Sequence, residues 1–550
     1  MTRNKTDNVL VQAGILAAAS MVVRIIGLLY RAPLTAIIGD EGNGYYGIAY
    51  NIYTIVLMVS SYSVPSAVSK LMAQKLAVGE YKGARRVFHC ALIYGFTVGA
   101  AASVLLFFFA ESLVPPVAAG VLRIFAPTVF MFGLLGSLRG YFQAHGSMVQ
   151  TSISQILEQI MNAGVSIGAA AFLMRLVSDR DTTTQAQYGA MGSALGTGSG
   201  VLTALLFVAA CYWRYHKWEA RKIKEDKHDA PGWGITMRQT IQVITPFMLS
   251  GFVLNLTTSL NQTIYTRIMI GRKGMDEILT TTQYGIFSNK AVVISNIPIS
   301  IATAVAAAII PGISAAYAMR NLDETRRRSD DACRVTLMIA IPSAAGLTAL
   351  ARPITLLMFP QMQSLPLASG LLAMLAVTVV FYSASTITNA VLQSIGKMNM
   401  PLISAGVALA IQTAVLVMLL QWTNTGVYSL VIVSILYSAL IFIVNERFLR
   451  KYLNQHRDYM KSFGKPLLSA AIMAAGARII YELLLAVLLR ILGERLYFCS
   501  LIALGAAIFA AVFIYFFVLI RTGAMTEEDI QSLPGGISLS RALRSFRILR

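Results

Sequence analysis

Charged side chains are scarce in this 550-residue chain: they make up 13% of it, about half of the roughly 25% typical of soluble domains. A soluble protein of this size would need polar surface that the chain does not have. Cysteine is also sparse, at four residues, too few for a disulfide scaffold. Low apolar content, the mark of disorder, is absent as well, because 56% of residues are hydrophobic and the mean hydropathy is +0.65. There is no GxxxxGKS/T, no HExxH and no Cys/His cluster, so neither a P-loop nor a metal site is legible. Connecting segments are short, and no soluble domain fits between the apolar runs. Basic residues outnumber acidic ones by 45 to 25, a net charge of +20. A nucleic-acid partner would need that charge as a patch on a soluble module. Here it is scattered between long apolar runs, so no nucleic acid is expected.

What is present is a series of stretches long enough to cross a bilayer, about 20 apolar residues each. Fourteen qualify, near 9–33, 45–69, 88–110, 117–142, 149–174, 188–212, 240–266, 284–310, 333–358, 367–392, 401–421, 425–446, 466–489 and 496–520. The fold class expected is therefore an all-α polytopic membrane protein. The first two stretches are the least clean, since they carry Arg24, Arg31 and several tyrosines. No secretory signal is expected, because the first apolar run is too long and lacks a small-residue cleavage site. With the N-terminus placed in the cytoplasm, 32 of the 45 basic residues fall in inner segments and 8 in outer ones. By the positive-inside rule both termini are then cytoplasmic.

The chain also repeats itself. Residues 126–154 align without gaps on 376–404 with eight identities, among them Gln143/Gln393, Gly146/Gly396, Met148/Met398 and Ser154/Ser404. Pro65 and Pro311 each close a span that leads into a basic loop. Spans 1–6 thus echo spans 7–12 with the same topology, a parallel repeat of the kind found in transporters that rock two bundles about a central site. The division expected is a lobe over 1–213, a cytoplasmic linker over 214–238, a second lobe over 239–448, two further helices over 449–521 and a basic tail over 522–550.

Ionisable residues inside spans are costly and point to function by default. Arg24 and Arg31 lie seven residues apart, on one face of a helix, where two guanidiniums suit a phosphate or diphosphate. The bland alternatives are an internal salt bridge for Arg24 and snorkelling to the outer interface for Arg31. Lys290, within span eight, either joins them or snorkels. Glu158 is either a cation- or proton-coupling carboxylate or the partner of an arginine. Glu482 follows Arg478 by four residues and reads as its same-helix partner, and Arg123 reads as structural. Asn255, Asn261 and Gln262 of span seven either line a cavity or bond between helices. Pro65, Pro127, Pro246, Pro298 and Pro342 interrupt spans. Of these, Pro65 and Pro298 are the candidate hinges.

The segment LRGYFQAHGSMVQTSISQILEQ, Leu138 to Gln159, resembles a stretch shared by the stage V sporulation protein B group and the MurJ-type lipid II flippases. VRIIGLLYR (to Arg31), GDEGNGYYGIAY (from Gly39), VPSAVSKLMAQ (from Val64), IGKMNMP (from Ile395) and GLTALARPITLLMF (from Gly346) fit the same family. These pieces are spread over spans 1–11. The wider superfamily is that of the multidrug/oligosaccharidyl-lipid/polysaccharide exporters, which includes the MATE antiporters. The resemblance implies 12 core helices in two lobes plus two helices that form a groove for a lipid tail. It implies a cationic cavity open alternately to each side, and flipping of a lipid-linked saccharide diphosphate, with lipid II foremost. It makes Arg24, Arg31 and Lys290 the cavity cations and places Glu158 and Gln159 in its most specific motif. Lys290 stands eight residues before Pro298 where the family usually has five, which keeps the helix face and shifts the depth. Tyr45 and apolar residues stand where the Gram-negative type has a span-two acid and arginine.

The function expected is thus a flippase of the bacterial cytoplasmic membrane, not an enzyme. It would move an undecaprenyl-diphosphate saccharide by alternating access, with no cofactor and with Na+, H+ or the membrane potential as the driving force. Membrane lipids and cell-wall synthesis enzymes are the candidate partners. The rivals are a MATE-type drug/cation antiporter, which would use intramembrane carboxylates, and an exporter of another lipid-linked polysaccharide unit. A membrane glycosyltransferase would need acidic residues in a sizeable outer loop, which the chain does not have. A scaffold would need no cations in the bilayer.

Overall fold

The computed structural model describes residue 19 and residues 22–523, apart from 28, 63, 227, 230, 398, 455–459 and 494. The described residues are helical throughout, without strands. That is what a bilayer demands of a chain that must satisfy its backbone internally. The expected first span lies mostly outside the described residues, although 22–27 and 29 are helical.

In the first compact unit, Met1–Gly285, the helices are α1 (Arg31–Leu57), α2 (Val64–Ala77), α3 (Tyr81–Phe108), α4 (Pro116–Ala144), α5 (Val149–Leu176), α6 (Thr182–Glu225), α7 (Trp233–Gly271) and α8 (Glu277–Gly285). Helix α1 is two helices joined at Gly39, where φ is +70° and ψ −178°. Only glycine adopts that conformation without strain, so the corner between spans one and two is set by one residue. A π-helical turn, Met58–Tyr62, separates α1 from α2.

The second unit, Ile286–Arg550, opens with another π-helical turn, Ile286–Ala291. It continues through α9 (Val292–Ala318), α10 (Leu322–Ala349), α11 (Ala351–Met358), α12 (Leu365–Leu375), α13 (Val377–Ser394), α14 (Asn399–Trp422), α15 (Tyr428–Leu453), α16 (Lys465–Leu492) and α17 (Leu496–Arg521). Helices α16 and α17, outside the repeat, dock on the second unit. Tyr515 donates to the Met338 carbonyl (2.9 Å), Tyr497 to Leu357 (3.2 Å) and Arg478 to Ala349 (3.0 Å).

By length and apolarity, 10 described helices can cross a membrane, or 11 if α12 and α13, bent by 40°, form one span. The stretches near 9–33, 45–69 and 240–266 are not among them, so this measure stops short of the fourteen expected. The linker expected over 214–238 is partly helical. Helix α6 runs on to Glu225, because Arg, Lys and Glu favour helix beyond the apolar stretch. Helix α7, whose sequence opens the second repeat, packs within the first unit, and the unit boundary falls inside the span expected near 284–310.

Helix contacts inside the bilayer depend on close packing, which small residues allow. On α6, Gly192, Gly196 and Gly200 recur every four residues along one face. A Cβ on each would lie 2.5 Å from backbone atoms of Ala170, Ser166 and Glu158 respectively, so α5 and α6 touch through their main chains. Gly196→Leu is therefore expected to cost about 1–3 kcal/mol through overpacking, read as a lowered melting temperature in detergent. Gly164→Leu, at a position with open space beside it, is the control.

The repeat is visible in local conformation. Gly146 and Gly396 end α4 and α13 with φ of +75° and +77°. Each donates its N–H 3.0 Å to the carbonyl three residues back, Gln143 and Gln393. Ser154 and Ser404 are both fully buried and bond to carbonyls of the preceding turn.

The loop after α6 is fastened to the start of α3. The Asp226 carboxylate accepts from the backbone N–H of Lys82 (2.8 Å) and of His228 (2.9 Å), and from His228 Nδ1 (2.8 Å). These bonds, Lys82 foremost, lower its pKa to about 2. A lowered carboxyl pKa contributes stability that is present above the ordinary value of about 3.9 and is lost as pH falls through the folded value. The clasp is thus expected to hold at pH 5 and open near pH 2. Asp226→Asn is expected to raise hydrogen exchange at the Lys82 and His228 amides at neutral pH while leaving the helices protected.

Candidate substrate site

The residues that matter in the first unit gather around the middle of α1. Tyr46, Tyr50 and Tyr53 fall on one side of the helix by their spacing and meet Phe125 of α4. Tyr53 stacks on Phe125 at 4.7 Å, Tyr46 on Tyr50 at 5.6 Å, and Tyr50 meets Phe125 edge-on at 5.9 Å. Tyr46 also bonds Thr197 of α6 (3.3 Å). Phe125, Tyr53 and Tyr46 are buried, whereas Tyr50 is 36% exposed. This cluster was missed by sequence reasoning, which took the tyrosines only as blemishes on an apolar run. Their 3–4-residue spacing was the available signal.

Arg31 is half-buried and close enough to Tyr46 and Tyr50 to act on both electrostatically. Arg24, two turns earlier, is exposed. Among the described residues neither guanidinium has an ion pair or hydrogen bond. The nearby acid is occupied elsewhere: Glu158 pairs with Arg139 at 2.7 Å, and Arg139 also donates to Ser154 (3.0 Å). Arg139 is 7% exposed at its side chain, so removing either partner would strand a buried charge. Of the two readings of Glu158, the structure shows the arginine partner. In the second repeat Asn389 stands at the position of Arg139, and it accepts from Asn445 (2.8 Å), so a neutral amide pair replaces the ion pair. Gln159 reaches the first helix, with its amide nitrogen 3.1 Å from where a Cβ on Gly27 would sit.

Span seven closes on the same helix. Asn51 donates to Gln262 (2.5 Å) and to the Tyr284 hydroxyl (2.7 Å), and Gln262 donates to the Ile48 carbonyl (3.2 Å). These bonds join α1, α7 and α8. Nearby, α1 and α8 cross at glycines. A Cβ on Gly44 would lie 2.6 Å from the Thr281 carbonyl oxygen, and one on Gly285 would lie 2.6 Å from the Gly44 Cα. Asn261 is buried. Asn255 lies on helical α7, but its side chain is outside the described residues, as is that of Pro246. Pro65 opens α2 just after the first π-helical turn and packs against Gly136 and Gly140 of α4.

Lys290 belongs to the second unit. It sits on the second π-helical turn, 1% exposed, with its ammonium 2.5 Å from Gln361 Oε1, 2.8 Å from Ser364 and over the Phe359 ring. It does not snorkel. Pro298 lies seven residues beyond that turn, in α9. The remaining charges are paired: Arg478 with Glu482 at 2.6 Å and Arg123 with Glu111 at 2.7 Å. Among the described residues no three His, Cys, Asp or Glu side chains come together to hold a metal.

The described chain is thus a helical membrane bundle that holds polar and cationic side chains, Arg139 and Lys290 among them, in its interior. The model for the family described as "Polysaccharide biosynthesis protein" matches residues 9–317, and the chain belongs to that family. The MatE family model matches residues 290–419. The chain is 22% identical to the lipid II flippase MurJ of Bacillus subtilis over 426 residues, 74% of this chain and 76% of that one. It is 26% identical to the stage V sporulation protein B of the same organism over 333 residues, 59% and 61% of the two chains. Among solved structures, an inward-facing multidrug resistance MATE family transporter of the MOP superfamily matches with TM-score 0.61 and 17% identity, over 80% of this chain and 98% of that one. The outward-facing conformation of such a transporter matches with TM-score 0.55 and 16% identity, over 80% and 95%. The fold is therefore MATE-like, and the protein is a multi-pass membrane transporter, not a catalyst.

Proposed function

We propose that the protein flips a lipid-linked saccharide diphosphate, lipid II foremost, across the bacterial cytoplasmic membrane by alternating access, with both termini in the cytoplasm. The observation that carries this reading is the pair Arg24 and Arg31. Two guanidiniums, Arg31 at the start of α1 and Arg24 two turns before it, lack any partner among the described residues, while the nearby acid is committed to Arg139. A diphosphate supplies what they lack, by bidentate bonds that a guanidinium fork favours. The exposed ring of Tyr50 beside Arg31 offers the attached sugar a flat face. Lys290 is held by Gln361 and Ser364 within the second unit, and Pro65 and Pro298 are the proposed places that bend. Asn261 and Gln159 would contribute polar lining.

An anionic head group moving outward is favoured by the membrane potential, about 2.3 kcal/mol per charge per 100 mV, and Na+ or H+ coupling is the alternative. A drug/cation antiporter would be expected to use Glu158, and that carboxylate is ion-paired with Arg139. The test is complementation of a strain whose MurJ-type flippase can be switched off. Growth with this gene supports the reading. Lysis despite normal membrane insertion would remove lipid II as the substrate and leave another lipid-linked unit to be assayed in vesicles.

A further inference from the structure

The α7–α8 corner, α1 and the segment before α4 line an open cleft of about 380 Å³ within the first unit. This is within the roughly 300–1,000 Å³ of small-molecule sites. Ile48 of α1 and Gln262 of α7 also line it. One wall is apolar, with Ile52 of α1 and Val114 before α4. The other is polar, with Thr263, Thr266 and Arg267 of α7 and Glu277 at the first turn of α8.

Two features set it apart from a packing defect. Glu277 Oε1 is shielded from solvent without a hydrogen bond. Capping the helix is not its task, since Asp276 already accepts from the Leu279 N–H (2.8 Å). Arg267 lines the same cavity, and among the described residues it too has no ion pair or hydrogen bond. Opposite charges that share one cavity without bonding each other leave room for a ligand that answers both. A buried carboxylate oxygen without a donor costs more than a satisfied one.

We infer that this cavity binds a zwitterion, with its anionic group on Arg267 and its ammonium on Glu277. The chemistry is that of a phosphate or carboxylate joined to a primary amine. It is found in an aminophospholipid head group, whose chains would lie along the apolar wall, and in a soluble phosphoamine. Neither Arg24 nor Arg31 lines it.

Native mass spectrometry of the full-length protein tests this with three probes: phosphatidylethanolamine, phosphatidylglycerol of the same chains, and O-phosphoethanolamine. Retention of phosphatidylethanolamine is expected to exceed that of phosphatidylglycerol by about tenfold, the worth of one charge-assisted bond. Glu277→Gln should erase that preference and Glu277→Asp should keep it, while Arg267→Gln should weaken binding of both lipids. Displacement of the lipid by O-phosphoethanolamine at equal concentration would support the zwitterion and assign the soluble source. No displacement, with the lipid preference intact, assigns the lipid. Equal retention of the two lipids, or a preference that survives Glu277→Gln, overturns the inference. Each variant is first matched to the parent in melting temperature, so that loss of binding is not loss of fold.

Discussion

Gly44→Val is expected to lower flipping about 10- to 100-fold in reconstituted vesicles while the protein still inserts and purifies. A Cβ at this position meets the Thr281 carbonyl oxygen at 2.6 Å, and that atom is backbone, so it cannot swing aside. Overpacking of this kind costs about 1–3 kcal/mol, and each 1.4 kcal/mol is a factor of about ten in a conformational equilibrium. In a transporter that alternates, the cost falls on the state in which α1 and α8 cross. Gly285→Val acts from the other side of the crossing and is expected to match it. Gly44→Ala, with a smaller demand, should lose less. The hydrogen bonds of Asn51 to Gln262 and Tyr284 stabilise the same arrangement, so Asn51→Ala should weaken it without a clash. Cysteines placed on α1 and α8 would report the change as slower cross-linking. Unchanged cross-linking together with unchanged flipping in Gly44→Val would show that this crossing is not part of the cycle.

The second large effect is expected at the arginine pair. Arg31→Ala and Arg24→Ala should each fail to sustain growth of a flippase-depleted strain. A charge-assisted hydrogen bond is worth about 1.5–3 kcal/mol, or about 10- to 100-fold in affinity for the diphosphate. Lysine at either place keeps the charge but loses the fork, and partial function is expected. Arg139→Ala is the informative contrast. It breaks the buried pair with Glu158, which costs about 3–5 kcal/mol, so the loss there should appear as reduced stability. If Arg24→Ala and Arg31→Ala both grow normally, the diphosphate is held elsewhere. In that outcome the zwitterion cavity at Arg267 and Glu277 would still stand or fall on its own assay.

Much of the fold was legible because membrane helices announce themselves as apolar runs, and ten or eleven of the fourteen expected stretches recur among the described helices as long, apolar spans. The repeat was legible for a sharper reason. Gly146 and Gly396 occupy a backbone conformation that few other residues tolerate, so the two turns had to keep the same residue. The Arg478–Glu482 pair was legible because four residues make one helical turn. Arg139 and Glu158 were not, since 19 residues and a corner separate them, and only the packing of α4 against α5 brings them together. The burial of Lys290 was hidden because its partners, Gln361 and Ser364, lie about 70 residues away on a segment between two short helices. The π-helical turns and the placement of α7 in the first unit have no local signature, because both are settled by tertiary contact.

The glycine seam between α5 and α6 bears on how such chains diverge. Where main chain touches main chain, drift at 192, 196 and 200 has almost no accessible substitutions, whereas the membrane-facing sides of the same helices accept any apolar residue of suitable length. Substitutions across lineages should therefore accumulate on the outward sides and leave the seams behind as sparse fixed points. A bundle inherited in that way can keep its architecture while most of its letters change. The relatives, at 22–26% identity, and a MATE-like framework matched at 17% span the divergence over which this is expected.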